Sequence, residues 1–273
     1  MTSKMAKINL SLKKEPEIPL EADVISPDIF GGKSIDEINA LDLYIGNETV
    51  KLEEYFEVKG DSGDADELKI TIEGNLSKVK RIGEKMSAGE IEINGDVGMH
   101  VGNQMTGGKI TVNGNTNDWA GAMMEGGELI IKGDTGHYTG AAYRGFWKGM
   151  QDGIIKVEGK IGNEAMLWAR NSKGADKWPT LYCGEAGSFL GIHNHGGTIV
   201  VEGDVDRCCG ADQAWGTIVV KGDVSTKLPS YKKVGEVDGV ELPNGDKIKG
   251  KFIEYSGDHS VRKEAKGRLY IAA

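Results

Sequence analysis

GEKMSAGEIEING (residues 83–95), GNQMTGGKITVNG (102–114) and GAMMEGGELIIKG (121–133) are three copies of one pattern, G-x-x-M-x-x-G-x-[IL]-x-[IV]-x-G. The shared positions are Gly83, Met86, Gly89, Ile91, Ile93 and Gly95; Gly102, Met105, Gly108, Ile110, Val112 and Gly114; and Gly121, Met124, Gly127, Leu129, Ile131 and Gly133. A fourth copy opens on Trp147 in place of the first glycine and keeps Met150, Gly153, Ile155, Val157 and Gly159. Two later copies lose the methionine: Gly191, Asn194, Gly197, Ile199, Val201, Gly203, and Gly210, Gln213, Gly216, Ile218, Val220, Gly222. A partial copy, Leu68, Ile70, Ile72 and Gly74, precedes them all. The closing glycines at 74, 95, 114, 133, 159, 203 and 222 are spaced by 21, 19, 19, 26, 44 and 19 residues. Repetition at this period marks a stacked-repeat architecture.

Within each copy the aliphatic pair alternates with polar residues at a period of two, so it predicts a short strand with one buried face. Each strand ends in Gly followed by Asn75, Asp96, Asn115, Asp134, Lys160, Asp204 or Asp223, and Gly with Asn or Asp favours a sharp turn. Roughly three buried aliphatic side chains contribute about 5–9 kcal/mol. Ordering a repeat of this length costs on the order of 20–40 kcal/mol, so one repeat cannot stand alone. Stacking at about 4.8 Å pairs each backbone with its neighbours and continues the core. The expected fold is mainly β: a right-handed parallel β-helix of about seven coils. Met86, Met105, Met124 and Met150 would form one interior column of pliable side chains. A copper-binding reading of that row lacks the His or Cys that should recur beside it.

The ends of such a stack need covering. Residues 1–66 read as an N-terminal capping segment, with strand-like Ile8, Leu10 and Leu12 and with Ser34 and Glu37 spaced as a capping box for a short helix. Residues 67–225 form the Gly-rich repeat domain. Residues 226–273 read as a C-terminal hairpin and cap, signalled by Asn244-Gly245. The long 44-residue interval is either a degenerate coil or a protruding loop, and the insertion over 160–196 carries Trp168, Arg170, Trp178, Tyr182, Cys183 and Glu185. Exposed Trp and Arg are the side chains that anchor interfaces, so Trp168, Arg170 and Trp178 are candidate partner contacts. The alternative is that the tryptophans pack on the wall. The outward strand column, Thr71, Glu92, Thr111, Ile130, Lys156, Val200 and Val219, turns apolar toward the C-terminus. Val200 and Val219 therefore need a cover, either the C-terminal segment or another subunit.

The composition excludes several functions. With 33 basic and 42 acidic residues the net charge is -9, which disfavours nucleic acid and anionic membranes as partners. No apolar run approaches a membrane span and Met1 to Leu12 lacks a signal-peptide core, so a cytoplasmic protein is expected. Cys183, Cys208 and Cys209 have no CxxC spacing, so reduced thiols are expected. The adjacent Cys208 and Cys209 should divide between core and surface. Of five histidines, only His193 and His195 cluster, without the carboxylate or thiolate partners of a metal motif. The glycines fit no phosphate loop, because no G-x-x-x-x-G-K-[ST] or strand-G-x-G-x-x-G-helix unit occurs. The recurring aspartates lack the nonapeptide spacing of calcium solenoids, and turn hydrogen bonding explains them better. No catalytic, cofactor-binding or metal-binding residue is assigned.

The six near-complete copies from Gly83 to Gly222 closely resemble the C subunit of the archaeal tungsten or molybdenum formylmethanofuran dehydrogenase. They are also similar to the C-terminal domain of the glutamate synthase large subunit. The first resemblance implies a subunit of the enzyme that reduces CO2 and couples it to methanofuran in methanogenesis. It implies tungsto- or molybdopterin, iron-sulfur clusters and a dinuclear metal site, all held by other subunits of molybdopterin, amidohydrolase and iron-sulfur types. It thus implies a non-catalytic scaffold. The second would make the chain a module supporting an amidotransferase and flavin enzyme.

Overall fold

The structure, a computed structural model, describes residues 5–171, 178–260 and 264–273. Part of the expected insertion, residues 172–177, and the first four residues of the expected N-terminal cap lie outside the described residues. The chain is mainly β, built around one thirteen-stranded mixed sheet. Eight strands lie side by side in chain order and parallel: Leu68–Glu73, Glu90–Asn94, Thr106–Val112, Glu125–Ile131, Asp152–Ile161, Thr180–Ala186, His195–Val201 and Trp215–Val220. Ala6–Leu12 and Gly267–Ala272 extend the parallel run at either end.

The register explains the repeat. Ile70, Ile91, Ile110, Leu129, Ile155, Leu181, Ile199, Ile218 and Leu269 stand over one another, as do Ile72, Ile93, Val112, Ile131, Val157, Cys183, Val201, Val220 and Ile271. All are buried. A second leg adds a third buried column, Leu76, Val97, Thr116 and Thr135, then Ile161, Ala186, Val205 and Val224. Met86, Met105, Met124 and Met150 are each fully buried, in the interior column that their spacing predicts. Asn75 and Asp223 accept within their own turns, from Ser77 N and Val224 N, while other turn residues bond across layers. Asp96 Oδ1 accepts from Asn115 N at 2.7 Å, Asn115 Oδ1 from Asp134 N at 2.8 Å, and Asp134 Oδ1 from Lys160 N at 2.7 Å.

Thr180–Ala186 resolves the 44-residue interval. Leu181 pairs with Ile155 on one side and Ile199 on the other, so the interval is two layers and the degenerate coil is the correct alternative. The fourth copy also needs correction. Gly140, not Trp147, fills the first-glycine slot: its N–H bonds Ala120 O at 2.9 Å, as Gly121 N bonds Val101 O at 2.8 Å. The step from Leu129 to Ile155 is 26 residues against 19 from Ile110 to Leu129, and the surplus forms a loop between Gly140 and Met150.

The ends are closed by antiparallel strands. Phe56–Gly60 pairs with Ala6–Leu12, and its outward Glu57 and Lys59 pair at 2.8 Å, the kind of charged edge that discourages further strand addition. A four-stranded sheet and the helix Ile35–Asn39, with its Ser34–Glu37 capping box formed, complete that end. At the other end Lys232–Glu241 and Lys247–Gly257 form the expected hairpin, and Lys247–Gly257 pairs with Gly267–Ala272. The hairpin folds over the outward strand face: Val240, Leu242 and Phe252 bury Val200 and Val219, which are 1% and 0% exposed. Of the two covers expected, the C-terminal segment is the one found, so Val200 and Val219, read as candidate partner contacts, are buried by the chain itself.

Candidate functional site

The wall between the second leg and the main strands has an unusual backbone. In each layer, left-handed residues alternate with ordinary ones: Arg81, Gly83 and Lys85; His100, Gly102 and Gln104; Trp119, Gly121 and Met123. The central residue points inward: it is glycine in these three layers, whereas the buried Met166, at φ +58°, holds the same slot between Glu164 and Trp168. A Cβ on Gly121, at φ +62°, would sit 2.6 Å from Ile155 Cδ1 and 2.9 Å from Met124 Sδ. The flanking left-handed residues have no such clash, because their side chains leave the wall, so any residue type fits at a strain of roughly 1–2 kcal/mol. These outward side chains lie above one another layer by layer.

One row is aromatic. The His100 and Trp119 rings stack at 6.3 Å, and Trp119 stacks on Tyr138 at 4.3 Å with planes 12° apart. The loop between Gly140 and Met150 sends Tyr143 back onto this row, 4.9 Å from Trp119. Tyr143 Oη donates to Asn103 Oδ1 at 3.0 Å and lies 2.9 Å from His100 Nδ1; since its one proton is committed, His100 Nδ1–H is the donor. Asn103 donates to Glu84 at 2.9 Å, which also accepts from Arg81 at 2.8 Å. Burial, followed by the Arg81 and Lys80 charges, lowers the His100 pKa. Burial pushes Tyr143 up to about 12. A neutral imidazole, a protonated phenol and a carboxylate paired with Arg81 make a locked polar network.

The same loop presents Phe146 and Trp147 outward, 59% and 55% exposed. Arg170 lies over the Trp147 ring at 4.6 Å. Trp168 is half-buried against the wall, stacked on His193 at 4.5 Å and 5.3 Å from His195; His195 meets Trp215 edge-on at 6.3 Å. Trp178 lines an open cleft of about 440 Å³ with Arg170, His195, Trp215, Lys266 and Arg268. Trp168, Arg170 and Trp178, the contact candidates of the sequence, thus lie in one region. Phe146, Trp215 and the Trp119–Tyr143 row were not singled out there; the signal for them is aromatic residues placed two before or near the repeat glycines.

His193 Nδ1 lies 2.7 Å from Asp212 Oδ2, and its ring and that of His195 both contact Trp168. Among the described residues no group of three or more His, Cys, Asp or Glu is arranged to hold a metal. Burial raises the Cys183 thiol well above its usual range and pushes Cys209 up to about 12. Cys209 is core and Cys208 half-exposed, as their adjacency predicts. Among the described residues no helix is long and apolar enough to cross a membrane.

These features define a protein of stacked parallel β layers with an aromatic and basic outer wall. Comparison with known proteins supplies the particular family. The chain is 43% identical over 273 residues to the C subunit of tungsten-containing formylmethanofuran dehydrogenase 2 from Methanococcus maripaludis, covering 98% of this chain and 97% of that one. It is 45% identical over 269 residues to the protein of the same name in Methanothermobacter marburgensis, with 98% and 97% covered. It superposes with a TM-score of 0.84, at 26% identity, on a chain of the formyltransferase/hydrolase complex FhcABCD from Methylorubrum extorquens crystallised with methylofuran, covering 97% of this chain and 99% of that one. No family profile matches. The chain belongs to the family of formylmethanofuran dehydrogenase C subunits.

Proposed function

We propose that the chain winds as a right-handed parallel β-helix and serves as the non-catalytic scaffold of a formylmethanofuran dehydrogenase complex, in the cytoplasm. The observation that carries this reading is the use made of the repeated positions: aliphatic and methionine columns fill the inside from Ile70 to Leu269, and the turn side chains Asp96, Asn115 and Asp134 accept from backbone N–H groups of the adjoining layer. Such a body is a rigid mount. Near full-length likeness to proteins named as C subunits of that enzyme supports the same assignment over a glutamate-synthase-like module.

On this reading CO2 reduction and transfer to methanofuran occur on other subunits, of molybdopterin, amidohydrolase and iron-sulfur types. Those subunits hold the tungsto- or molybdopterin, the clusters and the dinuclear metal site. This chain positions them. The test is reconstitution with and without it. The purified chain alone should not turn over formylmethanofuran, and omitting it should prevent the remaining subunits from assembling into active complex. Turnover by the isolated chain, or full assembly and activity without it, would refute the proposal. His193→Ala with His195→Ala should leave the metal content of each assembled complex unchanged.

A further inference from the structure

The loop between Gly140 and Met150 does something the packing does not require. Its residues 144–148, Arg-Gly-Phe-Trp-Lys, project Phe146 and Trp147 into solvent at 59% and 55% exposure, although burying either side chain would be favourable by about 1.5–3 kcal/mol. From Trp147 a line of neighbours runs across the wall: Arg170 covers its ring at 4.6 Å, the Arg170 backbone pairs with that of His195 in the next layer, and the His195 ring meets Trp215, itself 50% exposed. The result is a continuous aromatic ridge.

Its charge runs against that of the molecule. The chain is net -9, yet the ridge and its margin carry Arg144, Lys148, Arg170, Lys266 and Arg268. Of these, Arg268 is neutralised, by Glu254 at 2.9 Å. Arg170 has no carboxylate partner among the described residues. Its Nε is shielded from solvent without a hydrogen-bond acceptor, and burial alone acts on its pKa, downward. A guanidinium whose Nε is shielded from solvent and which has no anion among the described residues is incomplete there, because an unmatched buried donor is costly.

We propose that the ridge from Phe146 and Trp147 through Arg170 to Trp215 is where a protein subunit docks, and that this partner presents an apolar pocket rimmed by Asp or Glu side chains. The inference rests on the scaffold reading above and adds the surface and the chemistry of the partner. Phe146 and Trp147 protrude beside the cleft that Arg170, His195 and Trp215 line, and such protruding anchors need a concave receiver, which favours a protein over a small anionic ligand. The carboxylate rim would complete Arg170 with a bidentate bond.

The experiment co-expresses the chain with the other subunits of its complex and measures retention and dissociation of the assembly for Phe146→Ala with Trp147→Ala, for Arg170→Glu, and for a control on the strand face, Lys132→Ala. Thermal midpoints of the purified variants report that each still folds. The ridge variants should weaken association at least about tenfold, as anchor residues do, and the wild-type interaction should weaken with rising salt; the control should behave as wild type. If the folded ridge variants assemble as tightly as wild type, the ridge proposal is overturned and the scaffold reading stands. Intact assembly with only a raised KM would also overturn it, assigning the ridge to a small ligand instead. If the wild-type chain associates with none of the other subunits, both readings fall.

Discussion

Replacing Gly121 by alanine tests the alternating wall directly. The residue sits at φ +62°, and a Cβ there would lie 2.6 Å from Ile155 Cδ1, 2.9 Å from Met124 Sδ and 3.2 Å from Leu129 Cδ2. Left-handed strain costs roughly 1–2 kcal/mol and forcing a methyl into a filled core another ~1–3 kcal/mol, for a total of about 2–5 kcal/mol. At roughly 2–4 °C per kcal/mol for a large single chain, the midpoint of thermal unfolding should fall by about 5–15 °C. Met123 supplies the control. It is equally left-handed, at φ +54°, but its side chain leaves the wall, so Met123→Ala keeps the backbone cost unchanged and should shift stability by less than about 1 kcal/mol. Differential scanning calorimetry on the two variants decides the matter. Equal losses would refute the claim that side-chain direction, in or out, is what reserves the central position of this layer for glycine.

Asp134→Ala removes the acceptor of the Lys160 N–H and should cost about 1 kcal/mol, seen as a lower urea midpoint and faster amide exchange at Lys160. Val219→Asp places a charge in the buried cluster with Phe252 and Val240; the hairpin Lys232–Glu241 and Lys247–Gly257 should then become sensitive to limited proteolysis, with a loss of at least ~3 kcal/mol. Asp258 gives a pH test. Burial raises its pKa, but hydrogen bonds from Ser230 and Ser260 and from the backbone of Ser260 and Asp212 outweigh it and hold the value at about 2. A depressed carboxylate contributes fully above its unfolded pKa of roughly 3.9 and loses that contribution as pH falls through the folded value, here about 2–3 kcal/mol. Asp258→Asn should flatten acid unfolding between about pH 4 and 2; unchanged acid limbs would contradict this.

Much of the architecture is legible because the buried positions repeat. Ile110, Leu129 and Ile155 recur at spacings that only stacked strands explain, and Asn244-Gly245 marks its hairpin openly. The layer Thr180–Ala186 is hidden because Cys183 replaces the aliphatic residue and Gly184 arrives one position early, so a count of closing glycines skips it. The left-handed wall is invisible for a different reason. Its defining residues, Arg81, His100, Trp119 and Tyr138, stand two before successive repeat glycines, but they face outward and differ in type, so their common left-handed backbone is not apparent from the sequence. Counting backward from Met150 across an inserted loop lands on Trp147, whereas the glycine slot belongs to Gly140. Val200 and Val219 announce the need for a cover, and that cover lies further along the same chain.

The closed ends have a geometric consequence. Because every layer between them advances the chain by the same strand spacing, about 4.8 Å, the distance from the Phe56–Gly60 edge to the hairpin is counted in whole repeats and not set by side-chain detail. The stack has the geometry of a gauge block. Removing or adding one complete repeat would alter the separation of features mounted along it by a fixed increment while leaving the local fit of each one intact.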